Sequence, residues 1–568
     1  MESNAPWLSS YGDVSFHLSY PEDSISTVVL NTAQRPENRN FPALQFMGRK
    51  ITYSELTDAV EKVARSFAAI GVKEGTRVTV CLPNVPQAVY CLYALNRIGA
   101  VASMIHPLSA VEEIVFYLNE TQSEYAITLD QFYEKFTEVC KKVPLRTLLI
   151  TESADELSFP LNVISHAQNS RKYPQPDPTD SHQMKWKAFL KKGASLSGEY
   201  ICEKKADDVA VLLFSGGTTG KTKGIELTNL NFNALAYQTA EMAHKPVCHT
   251  RMLAAMPIFH GFGLGVCIHT MLAVGGTSIL VPRFNVKEYA NLIRTTKPNY
   301  IAGVPTLFEA ITRNPYLDGV NLSFLYGVFS GGDSLPVELK KRFDAFLTSH
   351  GATIHIREGY GTTECVTASC LTPYHKEKEG SIGLPYPDTY YKICRPDSTE
   401  EVPFGTEGEI CLSGPSVMKG YLNNAEETAH TLRRHEDGRI WLHTGDLGTM
   451  DDEGFLYFRQ RIKRMIVTSG YNVYPSQIEN ILDAHEAVRM SCVIGVRDPY
   501  KMQKVKAFVV LKDGYTPSDA LKENLFEHCR RHIAKYALPY DIEVRDSLPQ
   551  TLVGKIAYTT LEKEEAKK

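Results

Sequence analysis

Apolar positions change their period several times along the chain, and each change marks an element. Leu56, Val60, Val63, Phe67 and Ile70 recur at helical spacing. Thr52 stands three residues before Glu55, the spacing of a capping box, and Gly71 supplies a stop. In the next run, Arg77–Leu82, the residues Val78, Val80 and Leu82 alternate as a strand does. Asn84 is placed to cap a helix that reaches Arg97. Strand and helix in alternation predict parallel α/β layers.

Residues 165–205 break the pattern. The stretch HAQNSRKYPQPDPTDSHQ is polar and proline-rich and reads as an exposed excursion. Asp207–Phe214 follows as a buried-strand candidate, and α/β alternation continues to about residue 390. Residues 391–458 read as short strands punctuated by Gly405, Gly408, Gly414, Gly438 and Gly454. A second unit opens at Arg461. It holds a helix from Ser476, strands at Ser491–Val496 and Val505–Leu511, a helix over Ala520–His532 and a strand near Ile542–Val544. The expected class is α/β: a large multi-layer N-terminal domain of sheets and packed helices over 1–460, and a small α+β C-terminal domain over 461–568.

Composition narrows the function classes. A chain of 568 residues exceeds what one core serves, and 43% hydrophobic residues exclude a disordered chain. A net charge of −4 gives no reason to expect nucleic acid as a partner. The twelve cysteines form no C-x-x-C pair and no zinc-spaced block, so they read as reduced thiols packed as small hydrophobes. The N-terminus lacks a basic stretch followed by an apolar run, and no segment is long and apolar enough to span a bilayer. The expected location is the cytoplasm, with peripheral membrane contact left open and the oligomeric state unassigned.

The densest chemistry is Ser215-Gly-Gly-Thr-Thr-Gly-Lys-Thr-Lys-Gly224. Gly216, Gly217, Gly220 and Gly224 let the backbone approach an anion closely. Backbone N–H groups and the hydroxyls of Ser215, Thr218, Thr219 and Thr222 can donate to phosphate oxygens, while Lys221 and Lys223 add positive charge. A Walker A loop would need glycine where Ser215 stands.

This loop resembles the signature of the adenylate-forming, or AMP-binding, superfamily, in its acyl-CoA synthetase branch of fatty-acid–CoA ligases and 4-coumarate–CoA ligases. Four more segments resemble that family in its order. Tyr360-Gly361-Thr362-Thr363-Glu364 matches its second signature, which implies Tyr360 on adenine, Thr363 at a phosphate and Glu364 on Mg²⁺. Thr444-Gly-Asp446 matches the ribose site, with Arg461 also at the ribose and Lys463 as hinge; Gln460 stands where the family usually has aspartate. Ser469-Gly470 and the following residues to Glu479 match the segment that shapes the thiol tunnel. Pro549–Lys555 matches the catalytic motif, which implies Lys555 bridging the substrate carboxylate and the α-phosphate. Gly331-Gly332-Asp333-Ser-Leu335 resembles a phosphopantetheine attachment site, but it also matches the family's adenine segment and is read as that. The acid pocket is expected to involve His260, Phe262, Gly303, Val304, Gly331 and Ile382.

The resemblance implies ATP, Mg²⁺ and coenzyme A, a mobile C-terminal domain, and a reaction in two halves. A carboxylate attacks the α-phosphate of ATP and expels pyrophosphate; a thiol then takes the acyl group and expels AMP. A fatty acid is the expected substrate. An aryl acid stays open, as does a separate carrier protein as acceptor, or nucleotide binding without catalysis.

Overall fold

A computed structural model describes residues 5–567 except 178, 216–221, 469, 470, 499, 501, 552 and 553, and leaves the side chains of Lys463, Tyr471 and Asn472 undescribed. Two large sheets dominate the N-terminal body. The first has nine strands, and its central run from Ile356–Tyr360 through Gly327–Ser330, Tyr300–Gly303, Arg251–Ala254 and Thr277–Leu280 to Pro42–Phe46 is parallel. The second has eight, parallel from Val209–Ser215 to Gln183–Lys185 and closed on its other side by antiparallel Lys223–Thr228 and Gly420–Tyr421. One apolar core draws side chains from both sheets. The helix Pro86–Arg97 is buried at every position from Pro86 to Asn96, the condition of a helix inside a large core.

The capping box forms as its spacing predicts. Glu55 N–H donates to Thr52 Oγ1 at 3.2 Å, and Thr52 N–H to Glu55 Oε2 at 2.7 Å, at the head of Tyr53–Ala69. Asn84 does something else. The helix Pro86–Arg97 starts on Pro86 without a side-chain cap. The Asn84 amide instead donates to Ala254 and Met256 carbonyls at 2.9 and 2.8 Å and accepts from Ile258 N–H at 2.7 Å. It pins the second sheet to the segment leading to His260.

The excursion over 165–205 is only partly one. It contains the edge strand Gln183–Lys185 and the helix Trp186–Ala194, which buries Trp186, Phe189 and Gly193 against Tyr53–Ala69. A Cβ on Gly193 would lie 2.3 Å from Ser66 Oγ, so the two helices meet through a glycine.

Tyr390–Cys394, Gly408–Ser413, Leu432–Arg434, Ile440–Met450 and Leu456–Arg461 make a third sheet. Beyond it, the long hairpin Val488–Asp498 and Met502–Leu511, with parallel Asp541–Val544, carries the helices Pro475–Asp483 and Asp519–His532. This is the smaller α+β unit, with its own core around Ile478, Leu482, Val493, Val509 and Leu525. A final helix, Tyr558–Glu565, was not apparent from the sequence.

Candidate active site

The chain leaves one strand at Ser215 and re-enters its antiparallel neighbour opposite, at Lys223. A Walker A loop runs from a strand into a helix, so the topology separates this loop from that one. Gly216, Gly217, Thr218, Thr219, Gly220 and Lys221 themselves lie outside the described residues. Lys223 pairs with the Glu427 carboxylate and sits 4.7 Å from the Tyr421 ring centroid. Tyr421 donates to Glu364 Oε1 at 2.9 Å, and the Glu364 carbonyl accepts from Met418 N–H at 2.7 Å. Glu364 is thereby held through Tyr421 near Lys223, by residues that carry no signal of their own in the sequence. A fixed carboxylate among oxygen donors suits Mg²⁺.

Glu364 sits in the short turn Thr363–Cys365 that follows Tyr360-Gly361-Thr362. The turn ends on Val366 at φ 65°, an uncommon conformation for a β-branched residue. The Val366 carbonyl fills the space beside Gly261, where a Cβ would lie 1.6 Å from it. Only glycine fits there, and this locks the segment bearing His260 to the segment bearing Glu364.

Tyr360 donates to Asp446 Oδ2 at 2.6 Å, and Arg461 Nε lies 3.4 Å from Asp446 Oδ1. Asp446 is 2% exposed, and its Oδ1 accepts no hydrogen bond among the described residues. Burial pushes its carboxyl above the usual range, opposed by Arg461. A buried acceptor without a donor fits the hydroxyls of a ribose. Gln460, 1% exposed, leaves both amide atoms without partners among the described residues, so the substitution for aspartate costs local hydrogen bonding.

Lys555 reaches this place from the C-terminal unit. Its Cε would lie 3.4 Å from a Cβ on Gly332. Thr306 Oγ1 donates to the Gly554 carbonyl at 3.1 Å, and Lys555 N–H donates to Thr551 Oγ1 at 3.1 Å, which fixes the turn; Gly554 takes φ 82°. Burial lowers the Lys555 pKa; Asp333 raises it, Arg461 lowers it further and Asp446 raises it. Lys555, Gly332, Asp333, Asp446, Arg461 and Tyr360 therefore converge.

At that point a narrow cavity of ≈ 30 Å³ opens. Gly331, Gly332, Tyr360 and Gly361 line one part of it, Phe262, Val266, Phe329, Leu371 and Tyr386 are among its apolar walls, and Thr239, Ser330 and Thr367 add hydroxyls. Its walls are mainly apolar, with no carboxylate or ammonium among the described lining residues. The Arg357 guanidinium stacks over Phe329 at 5.7 Å, but its donors go to Thr372 and Met242 carbonyls at 2.7 and 2.9 Å. His260 Nδ1 accepts from Phe262 N–H at 3.2 Å, which defines a neutral ring protonated at Nε2. Burial, then the Lys555 charge, push its pKa down to about 3, so it stays neutral. Val304 packs 3.5 Å from a Cβ on Gly332, and Gly303 lies against Leu307. Of the six residues expected at the acid pocket, Phe262 and Gly331 line this cavity, whereas Ile382 belongs to a different core, with Trp7, Leu384 and Phe455. Its place in the sequence after the second signature gave no warning that the chain turns away toward the third sheet.

The sequence matches the family model described as AMP-binding enzyme over residues 31–422, and the AMP-binding enzyme C-terminal domain over 477–555. The chain belongs to the AMP-binding enzyme family. A long-chain-fatty-acid–CoA ligase of Bacillus subtilis is 35% identical over 100% of this chain and 99% of its own length. One of Salmonella typhimurium is 32% identical over 97% and 96%. In fold, ATP-bound MatB from Rhodopseudomonas palustris superposes with a TM-score of 0.80 over 95% of this chain and 98% of that one, at 24% identity.

Two supports of this AMP-binding site escaped sequence reasoning. Glu358 Oε1 accepts from Leu335 N–H at 2.9 Å and fixes the Gly331–Leu335 loop; burial lifts its carboxyl to about 8. Behind the ribose turn, Glu409 Oε1 accepts from Gly445 N–H at 2.9 Å while Oε2 meets His443 Nδ1 at 2.7 Å. His443 Nε2 in turn lies 2.9 Å from His435 Nε2. The one signal was Gly445, whose φ of 71° needs a held turn. Gly470 and the Lys463 side chain lie outside the description.

Proposed function

We propose that this AMP-binding enzyme is an ATP-dependent acid–CoA ligase whose acid is a fatty acid. The observation that carries the reading is Lys555 at the mouth of an apolar cavity, beside Gly332 and within the field of Asp446. A carboxylate lodged at Gly331–Gly332 with its tail toward Phe329 meets the Lys555 ammonium and the His260 Nε2–H. An ATP whose ribose is held by Asp446 and Arg461 brings its α-phosphate to the same ammonium. Like charges are thus brought together under preorganised positive potential. Glu364 is the residue to hold Mg²⁺, which supplies charge neutralisation on the phosphates. The acyl-AMP product then gives its acyl group to CoA and releases AMP.

The name long-chain-fatty-acid–CoA ligase, borne by relatives spanning nearly the full chain, supports a fatty acid, and the apolar lining suits a fatty or an aryl tail. The domain boundary is set at Gln460–Arg461, with Lys463 as pivot. The test is CoA-dependent AMP release with acids from acetate through long-chain fatty acids to cinnamates. The highest kcat/KM is expected among fatty acids. A preference for cinnamates overturns the acid, and transfer only to a pantetheinylated carrier overturns the acceptor.

A further inference from the structure

The helix Leu161–Lys172 is turned inside out. None of its residues is buried. Its half-buried positions, Asn162, Ser165, His166 and Asn169, form one stripe at helical spacing, and that stripe is polar. His166 Nδ1 lies 2.8 Å from Glu152 Oε2, its Nε2 lies 3.6 Å from Asp155 Oδ1, and Asn169 faces the Asp130 carboxyl. The polar face thus holds the protein, and the opposite face, with Val163, Ile164, Ala167 and Arg171, meets solvent. An ordinary surface helix is arranged the other way.

The apolar side chains left outside are large and close together. Phe159 is 81% exposed, Leu161 54%, Val163 56% and Ile164 50%. A second segment joins them. Arg49 donates to the Glu156 carbonyl at 3.2 Å and to Glu156 Oε2 at 2.9 Å, which brings the hairpin tip with Met47, 57% exposed, to the root of this segment. The charge here is one-sided. No Asp or Glu occurs between 157 and 176, while Lys50, Arg171 and Lys172 are exposed. Over 161–192 there are six Lys or Arg against two Asp.

We propose that Phe159, the outer face of Leu161–Lys172 and Met47 dock this enzyme on an anionic lipid bilayer. The helix would lie in the interface, with Phe159, Leu161, Val163 and Ile164 at the acyl boundary and Lys50, Arg171 and Lys172 among the phosphates. Clustered exposed apolar residues mark a docking surface, and the basic excess among its exposed charges, Lys50, Arg171 and Lys172, favours anionic lipid over a protein partner. The inference does not rest on which acid the enzyme activates.

The test is cosedimentation of the full chain with phosphatidylcholine vesicles and with mixed phosphatidylcholine–phosphatidylglycerol vesicles. Wild type is expected to bind the anionic vesicles reversibly and to be released by salt. Phe159→Ser/Leu161→Gln/Val163→Gln/Ile164→Gln should lose on the order of tenfold or more in vesicle binding, and Arg171→Glu/Lys172→Glu should lose about as much, on anionic vesicles only. Neither variant removes a buried side chain, so AMP release with a short, water-soluble acid should stay at the wild-type rate. Anionic-vesicle binding unchanged in the fourfold variant overturns the proposal. So does wild type that ignores both vesicles, including the case in which it self-associates through this patch.

Discussion

Lys555 and Asp446 have opposite electrostatic problems, and each is the other's partial solution. Burial depresses the lysine and raises the carboxyl, while their fields pull back toward the charged forms. Protonated Lys555 is the form that meets two anions. Its lowered pKa means that acid-dependent pyrophosphate exchange should fall off on the alkaline side below the range of a free lysine. Asp333 is the largest influence raising that pKa. In Asp333→Asn the ammonium loses its proton more easily, and the alkaline limb should move to lower pH; a limb that stays in place removes Asp333 from the lysine's environment. Lys555→Ala should lose on the order of 10²–10³ in exchange while transfer from preformed acyl-AMP to CoA survives. The proposed roles were assignable from the sequence because motif residues carry charge or glycine in fixed order. Glu409, Glu358 and Tyr421 were not, because they act through hydrogen bonds to backbone or to another side chain from strands distant in sequence. Glu409→Gln keeps the acceptor for Gly445 but loses the charge facing His443. It should raise KM for ATP several-fold with kcat little changed, measured by pyrophosphate exchange; unchanged KM would separate this pair from the ribose turn.

Among the elements, helices with a cap and a clean apolar period were readable, as Tyr53–Ala69 shows. The failures have physical causes. Asn84 could satisfy either a helix end or the three backbone groups that it holds, and tertiary contact decided. Trp186–Ala194 hid behind a proline-rich approach, since its packing runs through Gly193 rather than through a long stripe. Leu161–Lys172 could not be read from periodicity that assumes apolar faces point inward. The C-terminal hairpin carries a further element-scale dependence. Lys506, 4% exposed, pairs with Glu543 at 2.8 Å, Glu565 at 2.9 Å and Asp541 at 3.4 Å. Burial alone would raise Glu543, but Lys506 and Arg545 bring its carboxyl down to about 2. A depressed carboxyl contributes stability above its unfolded pKa and loses it as pH falls toward the folded value. Stability of the C-terminal unit should therefore decline between about pH 4.5 and 2. Lys506→Met removes a cation shared by Glu543, Glu565 and Asp541, while Glu543 keeps Arg545 and Asp541 keeps Lys522, and should cost about 1–3 kcal/mol, read by denaturant unfolding. A loss below about 1 kcal/mol would mean that these groups are already solvated.

At the scale of the molecule, alternation of strand and helix announced layered α/β structure, but not strand order. Leu44 pairs with Ser278, and nothing local in either segment names the other. The same holds for the site, whose residues come from both bodies. Arg461 faces Asp446 in the large body, whereas Arg464 pairs with Glu479 and donates to the Val493 carbonyl at 3.3 Å in the small one. Ile462 and Lys463 are thus bracketed by two anchors that belong to different bodies. Polar contacts across the present interface include Thr306–Gly554 at 3.1 Å and Tyr474–Glu407 at 2.5 Å, both part-buried bonds that a rotation would have to break. In the proposed mechanism the pose seen here is the one for acid activation, and the proposed rotation about Lys463 would withdraw Lys555 and present the segment around Gly470 for thiol attack. The turn Ile462–Arg464 is of the 3₁₀ type, whose φ proline accepts, so Lys463→Pro should hold this pose rather than unfold it. Pyrophosphate exchange should then persist within a few-fold, while transfer to CoA in a single turnover falls on the order of a hundredfold, as expected when a required conformational step is blocked. Both half-reactions at wild-type rates would eliminate the pivot, and equal loss of both would place Lys463 in the chemistry instead.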